Sequence, residues 1–287
     1  MDARQLLLLV LQVSIVSTVF GFGLKATKDD LLYLVHRPGL LVRSLLAVFV
    51  IVPIAAIALA QIFDFRHTAE VALIALAISP LPPLLPQREM KAGGNHGYGL
   101  GLMATLALAS IVTVPLWGEI LERLLARPFA ASPAAIARVV LIAALLPLVA
   151  GTTMRALLPS VADRIEKPVS MIGKILLPLA VVALLAATWR QMWAAAGEGA
   201  IVAMVLFVLI ALLVGHLLGA PDPDRSVVLA ISSACRHPAI ALSIASANFA
   251  EEHLGGTILL YVIVNIVVGM IYIVWQRNRV GRAVLVV

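Results

Sequence analysis

Apolar residues form long runs along most of the chain, and short polar stretches separate them. Each run is close to the roughly 20 residues that a helix needs to cross a hydrocarbon core of about 30 Å. Membrane strands would alternate in polarity, which these runs do not. We therefore predict an all-α polytopic membrane protein with about nine transmembrane helices. The predicted spans lie at about 6–23, 40–60, 69–92, 97–117, 136–157, 169–189, 200–218, 226–250 and 257–275.

The third and eighth predicted spans are interrupted by proline. Four prolines lie between Pro80 and Pro86 in the third, and the eighth contains the pair His237 and Pro238. Proline lacks an N–H donor and disfavours helical geometry in the residue before it. Non-helical backbone at membrane depth is tolerated where it lines a cavity, and paired interruptions point to a transporter's binding site.

The two interruptions also have similar sequences before them. Residues 76–79 and 229–232 both read LAIS. The broken spans are five spans apart, so they would run in opposite directions through the membrane. We predict an inverted repeat within a single integral membrane domain over residues 1–287, with repeat one at about 6–117 and repeat two at about 136–276. Two proline-kinked helices of separate origin are the alternative.

Composition excludes several classes of protein. Hydrophobic residues make up 62% of the chain and charged residues 13%, with a mean hydropathy of +1.06. Soluble domains carry about 25% charged residues, so a soluble enzyme is excluded. The single cysteine excludes an internal disulfide framework. The net charge of +6 lies in caps between apolar runs, which favours anionic lipid over nucleic acid.

Positive charge between the spans predicts the orientation. Twelve Lys and Arg residues fall on one side and six on the other, which favours an N-terminus outside and a C-terminus in the cytoplasm, in the inner or plasma membrane. A cleaved signal peptide is the alternative interpretation of the first span. The side with the excess carries Lys25, Lys28, Arg37, Arg88, Lys91, Arg155, Arg164, Lys167, Arg225, Arg277, Arg279 and Arg282, and the other carries Arg4, Arg66, Arg123, Arg127, Arg138 and Arg190.

This layout resembles the bile acid:sodium symporter family, as a divergent bacterial-type member. The resemblance rests on the break at Pro80, the turn at residues 91–95 (KAGGN), the VPL at 114–116 and the PAIAL at 238–242. It implies two broken helices that cross near the membrane centre beside a panel of other helices. It also implies transport of an organic anion together with sodium.

The chain departs from the family pattern at the positions that the resemblance assigns to sodium. Leu85 and Pro86 stand where sodium-coupled members have a Ser-Asn pair. Ser232 stands at an acidic position, and Arg236 and His237 replace an amide pair. Hard cations prefer oxygen ligands, which Leu and Pro side chains do not offer. The coupling ion therefore stays open between sodium and the proton, and transport without coupling is a further alternative. No cofactor is expected other than sodium, if sodium is the coupling ion.

Arg236 is the strongest candidate for binding substrate. A charge at the centre of a span costs between about 2.5 and more than 10 kcal/mol, and such residues are usually functional. Its guanidinium could grip a carboxylate, helped by the half-helix that starts near Pro238. The alternative is a structural Arg that satisfies carbonyls freed by the break. His237 could carry coupling protons or simply make a structural hydrogen bond.

Other polar residues near the breaks complete the predicted site, for which no catalytic residue and no metal ligand is proposed. Gly97, Gly99 and Gly101 are instead predicted to allow close helix packing. The predicted substrate-binding residues are Arg236, His237, Ser232, Ser233, Ser79, Asn95, Ser246 and Asn248.

These features together predict a secondary transporter that moves a small organic anion by alternating access. The expected partners are that anion and the lipid bilayer, without nucleic acid, and the oligomeric state is open. The sequence contains no H-E-x-x-H, G-x-S-x-G or P-loop motif, so we do not expect an enzyme. The alternative is a membrane sensor or partner-binding subunit that kept the fold without transporting.

Overall fold

The computed structural model describes residues 3–63, 65–125, 132–197, 199–249 and 254–284. Arg127 and the predicted end of the eighth span at Ala250 lie outside these residues. Every regular element in the described part of the chain is helical, which confirms the all-α prediction. Eight helical stretches there, some of which join two of the consecutive helices defined below, are long and apolar enough to cross a membrane.

The helices follow one another with short connections. The first half contains α1 (Ala3–Lys25), α2 (Lys28–Leu31), α3 (Pro38–Leu46), α4 (Val52–Ile62), α5 (His67–Ile78), α6 (Leu85–Lys91) and α7 (His96–Leu125). The second contains α8 (Pro133–Val140), α9 (Leu146–Leu157), α10 (Pro159–Ala195), α11 (Ala200–Gly219), α12 (Pro223–Ala234), α13 (Pro238–Asn248) and α14 (Gly255–Val284).

Both predicted breaks are present. Residues 79–84 separate α5 from α6, and residues 235–237 separate α12 from α13. Some predicted bounds were wrong: α7 extends to Leu125, and α10 begins at Pro159, ten residues before the predicted start, with Pro168 inside the helix. The count of nine spans, the inverted repeat and the orientation stay predictions.

Two apparently continuous helices contain a π-helical turn just before a proline. The turn Ala47–Ile51 joins α3 to α4 and precedes Pro53, and the turn Leu141–Leu145 joins α8 to α9 and precedes Pro147. Proline cannot donate to the carbonyl four residues earlier, so the helix adjusts locally. Beside Pro53, the indole Nε1 of Trp117 donates to the carbonyl of Phe49 at 2.7 Å.

The broken helices lie at the centre of the fold. Every residue from Val71 to Pro80 is buried, and so is every residue from Ser226 to Arg236. Helices α11 and α12 pack closely together, while α1 packs on α9 and α10 at one side. On the periphery, Leu157 is 73% exposed and Trp193 is 77% exposed. Large apolar side chains on the outside suit contact with lipid rather than water.

Candidate functional site

The two breaks meet through their main chains. The backbone N–H of His237, in the second break, donates to the carbonyl of Pro80, in the first, at 2.9 Å. Both groups lie in non-helical segments, so neither has a partner within its own helix. The hydrogen bond satisfies both polar groups and joins the two breaks.

Arg236 is buried at this junction with 2% of its surface exposed. Its guanidinium donates to the carbonyl of Ser79 at 3.4 Å and to that of Val48, in the first π-helical turn, at 3.0 Å. Its Nε has no hydrogen-bond partner within the described residues. The contacts match the structural alternative for this residue, and the substrate role of Arg236 stays a prediction.

Helix α14 supplies the polar groups that hold the second break open. The hydroxyl of Tyr261 donates to the carbonyl of Ala234 at 2.6 Å and accepts the backbone N–H of Arg236 at 2.7 Å. The side-chain amide of Asn265 donates to the same carbonyl at 2.9 Å. Sequence reasoning missed both residues. Tyr261 and Asn265 are four positions apart, so both lie on one face of an apolar helix, and this pattern could have identified them as candidates.

Arg88 points into the protein from α6, so its assignment to a connecting loop was wrong. Its guanidinium donates to the side-chain oxygen of Asn265 at 2.7 Å, to the backbone carbonyl of Asn265 at 3.3 Å and to the sulfur of Cys235 at 3.1 Å. These three residues, together with Ile231 and Gly269, line a cavity of about 10 Å³, which is room for about one water molecule. A guanidinium can bind an anion, and an anion at this position would need the cavity to widen.

A second cavity, also of about 10 Å³, lies beside the junction of the two breaks. Pro80 and Pro83 from the first break and His237 from the second line it, together with Val140 of α8 and Ala144 of the second π-helical turn. The Nδ1 of His237 has no hydrogen-bond partner in the part of the chain that the structure describes. The cavity has room for about one water molecule, which could hydrogen-bond to this nitrogen.

Glu89 is an acidic residue that sequence reasoning did not single out. It is 1% exposed, and its Oε1 accepts a hydrogen bond from the hydroxyl of Ser232 at 2.6 Å. Its Oε2 has no hydrogen-bond partner among the described residues. The signal that could have found it is a carboxyl group within a predicted span, soon after the proline break.

The remaining predicted site residues near the breaks are serines. Ser79 is buried, and its hydroxyl donates to the carbonyl of Leu76 at 2.8 Å. Ser233 is buried, and its hydroxyl has no hydrogen-bond partner within the described ranges. The structure thus brings Ser79, Ser232, Ser233, Arg236 and His237 into or next to the two breaks.

Three predicted site residues lie elsewhere in the fold. Asn95 precedes α7, where its side-chain oxygen accepts the backbone N–H of Tyr98 at 2.9 Å and its amide donates to Asp224 at 3.1 Å. Ser246 is exposed on α13. Asn248 ends that helix and donates to the carbonyl of Ile244 at 2.7 Å. These contacts cap or join helix ends, and the predicted substrate role of the three residues stays a prediction.

The described residues contain no group of three or more His, Cys, Asp or Glu side chains placed to hold a metal ion. Oxygen ligands for sodium could also come from main-chain carbonyls and hydroxyls. Sodium as the coupling ion stays a prediction.

An all-helical fold with many apolar spans and two broken helices whose breaks meet defines a polytopic integral membrane protein. The model of the sodium bile acid symporter family matches residues 12–195. The chain belongs to this family, as its resemblance indicated. The match includes the first break and ends with α10, before the second. Comparison with curated proteins gave no match.

Proposed function

We propose that this protein is a secondary transporter that moves a small organic anion by alternating access. The observation that carries the proposal is the junction between the two breaks, where the His237 N–H meets the Pro80 carbonyl. One cavity touches Cys235 at the start of the second break, and the other touches His237 at its end. Family membership supports transport as the activity.

Arg88 supports an anion as the substrate. Its guanidinium lines the first cavity, and Arg236 adds a second positive charge beside the break. A guanidinium binds a carboxylate through two parallel hydrogen bonds, which a lysine cannot copy. To bind substrate in this way, Arg88 would exchange its contacts with Asn265 and Cys235 for the carboxylate.

The size of the cavities is consistent with a closed conformation. Each has a volume of about 10 Å³, far below the roughly 300–1,000 Å³ that is usual for ligand pockets. Rocking of the broken helices against the other helices would enlarge one cavity towards one side of the membrane and then the other.

Uptake into proteoliposomes tests the proposal. Labelled small carboxylates are offered under a sodium gradient and, separately, under a pH gradient. We expect uptake by the wild-type protein under at least one gradient. If purified protein binds a carboxylate but moves none under any gradient, the transport proposal fails and a non-transporting membrane sensor becomes the better explanation.

Two variants of α6 test the anion site. Arg88→Gln removes the charge beside the cavity, and Lys91→Gln removes an exposed charge from the same helix. We expect Arg88→Gln to reduce uptake at least about tenfold, which corresponds to about 1.4 kcal/mol, and Lys91→Gln to keep it. Arg88→Lys keeps the positive charge but lacks the planar guanidinium that makes two parallel hydrogen bonds, so its uptake should be intermediate. Equal uptake by the two Gln variants would remove Arg88 from the site.

A further inference from the structure

We propose that Glu89 and Ser232 form a proton-binding site and that the proton bound there is the coupling ion of transport. The coupling part rests on the proposed function, whereas proton binding by Glu89 does not. Nothing in the sequence reasoning assigned a role to Glu89.

The carboxyl group sits between the two broken helices. Glu89 belongs to α6, which directly follows the first break, and Ser232 belongs to α12, which directly precedes the second. The hydrogen bond of 2.6 Å between them joins residues that are 143 positions apart in the sequence. Oε2 lies against the backbone of Gly99 on α7, where a Cβ atom would collide with it. The carboxyl group is therefore enclosed by α6, α7 and α12.

The groups that face Glu89 offer its charge little compensation. On α7 the hydroxyl of Tyr98 interacts electrostatically with Glu89 and shares a hydrogen bond of 2.8 Å with Ser44. Directly after α12 the thiol of Cys235 also interacts electrostatically with Glu89. On α6 itself, Arg88 directs its guanidinium to Asn265 and Cys235. Glu89 forms no ion pair within the described residues, and the Ser232 hydroxyl is the one donor recorded for its carboxylate.

A proton suits this site better than sodium. A bare carboxylate in a buried site is costly, and a proton on Oε2 removes that charge without any further ligand. A hard metal cation instead needs about six oxygen ligands. Glu89 and Ser232 together provide three oxygens. The Oε2 atom that lacks a donor is where the proton would bind.

The position of the site connects proton binding to movement. Because the Ser232–Glu89 hydrogen bond joins the segments that flank the two breaks, displacement of one broken helix relative to the other would break it and expose the carboxyl group. The carboxylate would then take a proton from the solution on one side, forming the carboxylic acid. In the conformation open to the other side the acid would return the proton to the solution there, with no other bond formed or broken.

Infrared difference spectroscopy of the purified full-length protein tests proton binding directly. Spectra recorded from mildly acidic to mildly alkaline pH should contain a protonated carboxyl band that Glu89→Gln removes. Glu119→Gln, which changes an exposed carboxylate that pairs with Arg123, should leave this band in place. Ser232→Ala should raise the pH at which the protonated carboxyl band disappears, because the Ser232 hydroxyl stabilises the ionised form of Glu89.

Two results would overturn the proton site. One is a wild-type spectrum without a band that depends on Glu89, because Glu89 would then stay ionised throughout. The other is a band whose titration shifts when sodium replaces choline at constant ionic strength, because sodium would then compete for the carboxylate.

Transport assays test the coupling role. In proteoliposomes, Glu89→Gln should lose accumulation driven by a pH gradient while keeping exchange of labelled for unlabelled substrate across the membrane. Glu119→Gln should keep both activities. If Glu89→Gln still accumulates substrate in response to the pH gradient, the coupling role is wrong. If the wild-type protein transports nothing, the proposed function fails, and the infrared titration still decides whether Glu89 binds a proton.

Discussion

Replacing Tyr261 by phenylalanine removes a single oxygen atom from the second break. That hydroxyl accepts the backbone N–H of Arg236 and donates to the carbonyl of Ala234. The aromatic ring remains, and so does its contact with Phe207, whose ring centroid lies 6.1 Å away. The variant therefore isolates the contribution of the two hydrogen bonds.

The expected loss of stability follows from what each partner retains. The Ala234 carbonyl keeps its hydrogen bond from Asn265, so it loses one of two donors. The Arg236 N–H loses the one acceptor recorded for it, and a buried unpaired donor costs about 1–3 kcal/mol. The lost bond to Ala234 adds about 0.6 kcal/mol, an average for membrane proteins. We expect the free energy of unfolding to fall by about 1.6–3.6 kcal/mol.

Unfolding in mixed micelles, followed by circular dichroism, measures this change. Tyr272→Phe is the matched control, because its partly buried hydroxyl shares one hydrogen bond of 2.8 Å with His216. The control should lose about 0.6–1 kcal/mol. If Tyr261→Phe is no less stable than Tyr272→Phe, then the hydroxyl does not hold the break open and the reasoning is refuted.

Two further substitutions test contacts around the breaks. Gly99→Ala places a methyl group against Glu89 Oε2 and should lower stability by about 1–3 kcal/mol in thermal unfolding. Gly39→Ala is the control and should not lower stability, because its added methyl group meets no atom within 4 Å. Equal melting temperatures for the two variants would contradict the contact between Gly99 and Glu89. Trp117→Phe removes the donor to the Phe49 carbonyl and should cost about 0.6–1.5 kcal/mol. Wild-type stability would show that the π-helical turn does not need this bond.

The helices and the breaks were largely predictable because they depend on local chemistry. A run of apolar residues must form a helix in lipid, since the backbone has no other partner there. Proline disfavours such a helix without always ending it, since Pro168 lies inside α10. At Pro80 and Pro238 it did mark the two breaks. Pro53 and Pro147 carried a similar signal for the π-helical turns, which we did not use.

Contacts between distant residues were not predictable in this way. Arg88 and Asn265 are 177 positions apart, and hydropathy does not reveal that Arg88 turns inward from α6 instead of outward to solvent. The contacts of Arg236 were not predictable for the same reason. Its charge marked it as unusual, but only the fold places the carbonyls of Ser79 and Val48 within its reach.

The hydrogen bond between His237 and Pro80 is made entirely by main-chain atoms. A change of side chain at position 237 keeps the backbone N–H that donates, unless the new residue is proline. A change at position 80 keeps the backbone carbonyl that accepts. Residues around the crossing can therefore be exchanged during evolution while the architecture persists. Members of one fold could diverge in the solute they recognise, or in the ion that drives them, without rebuilding the junction between the two breaks.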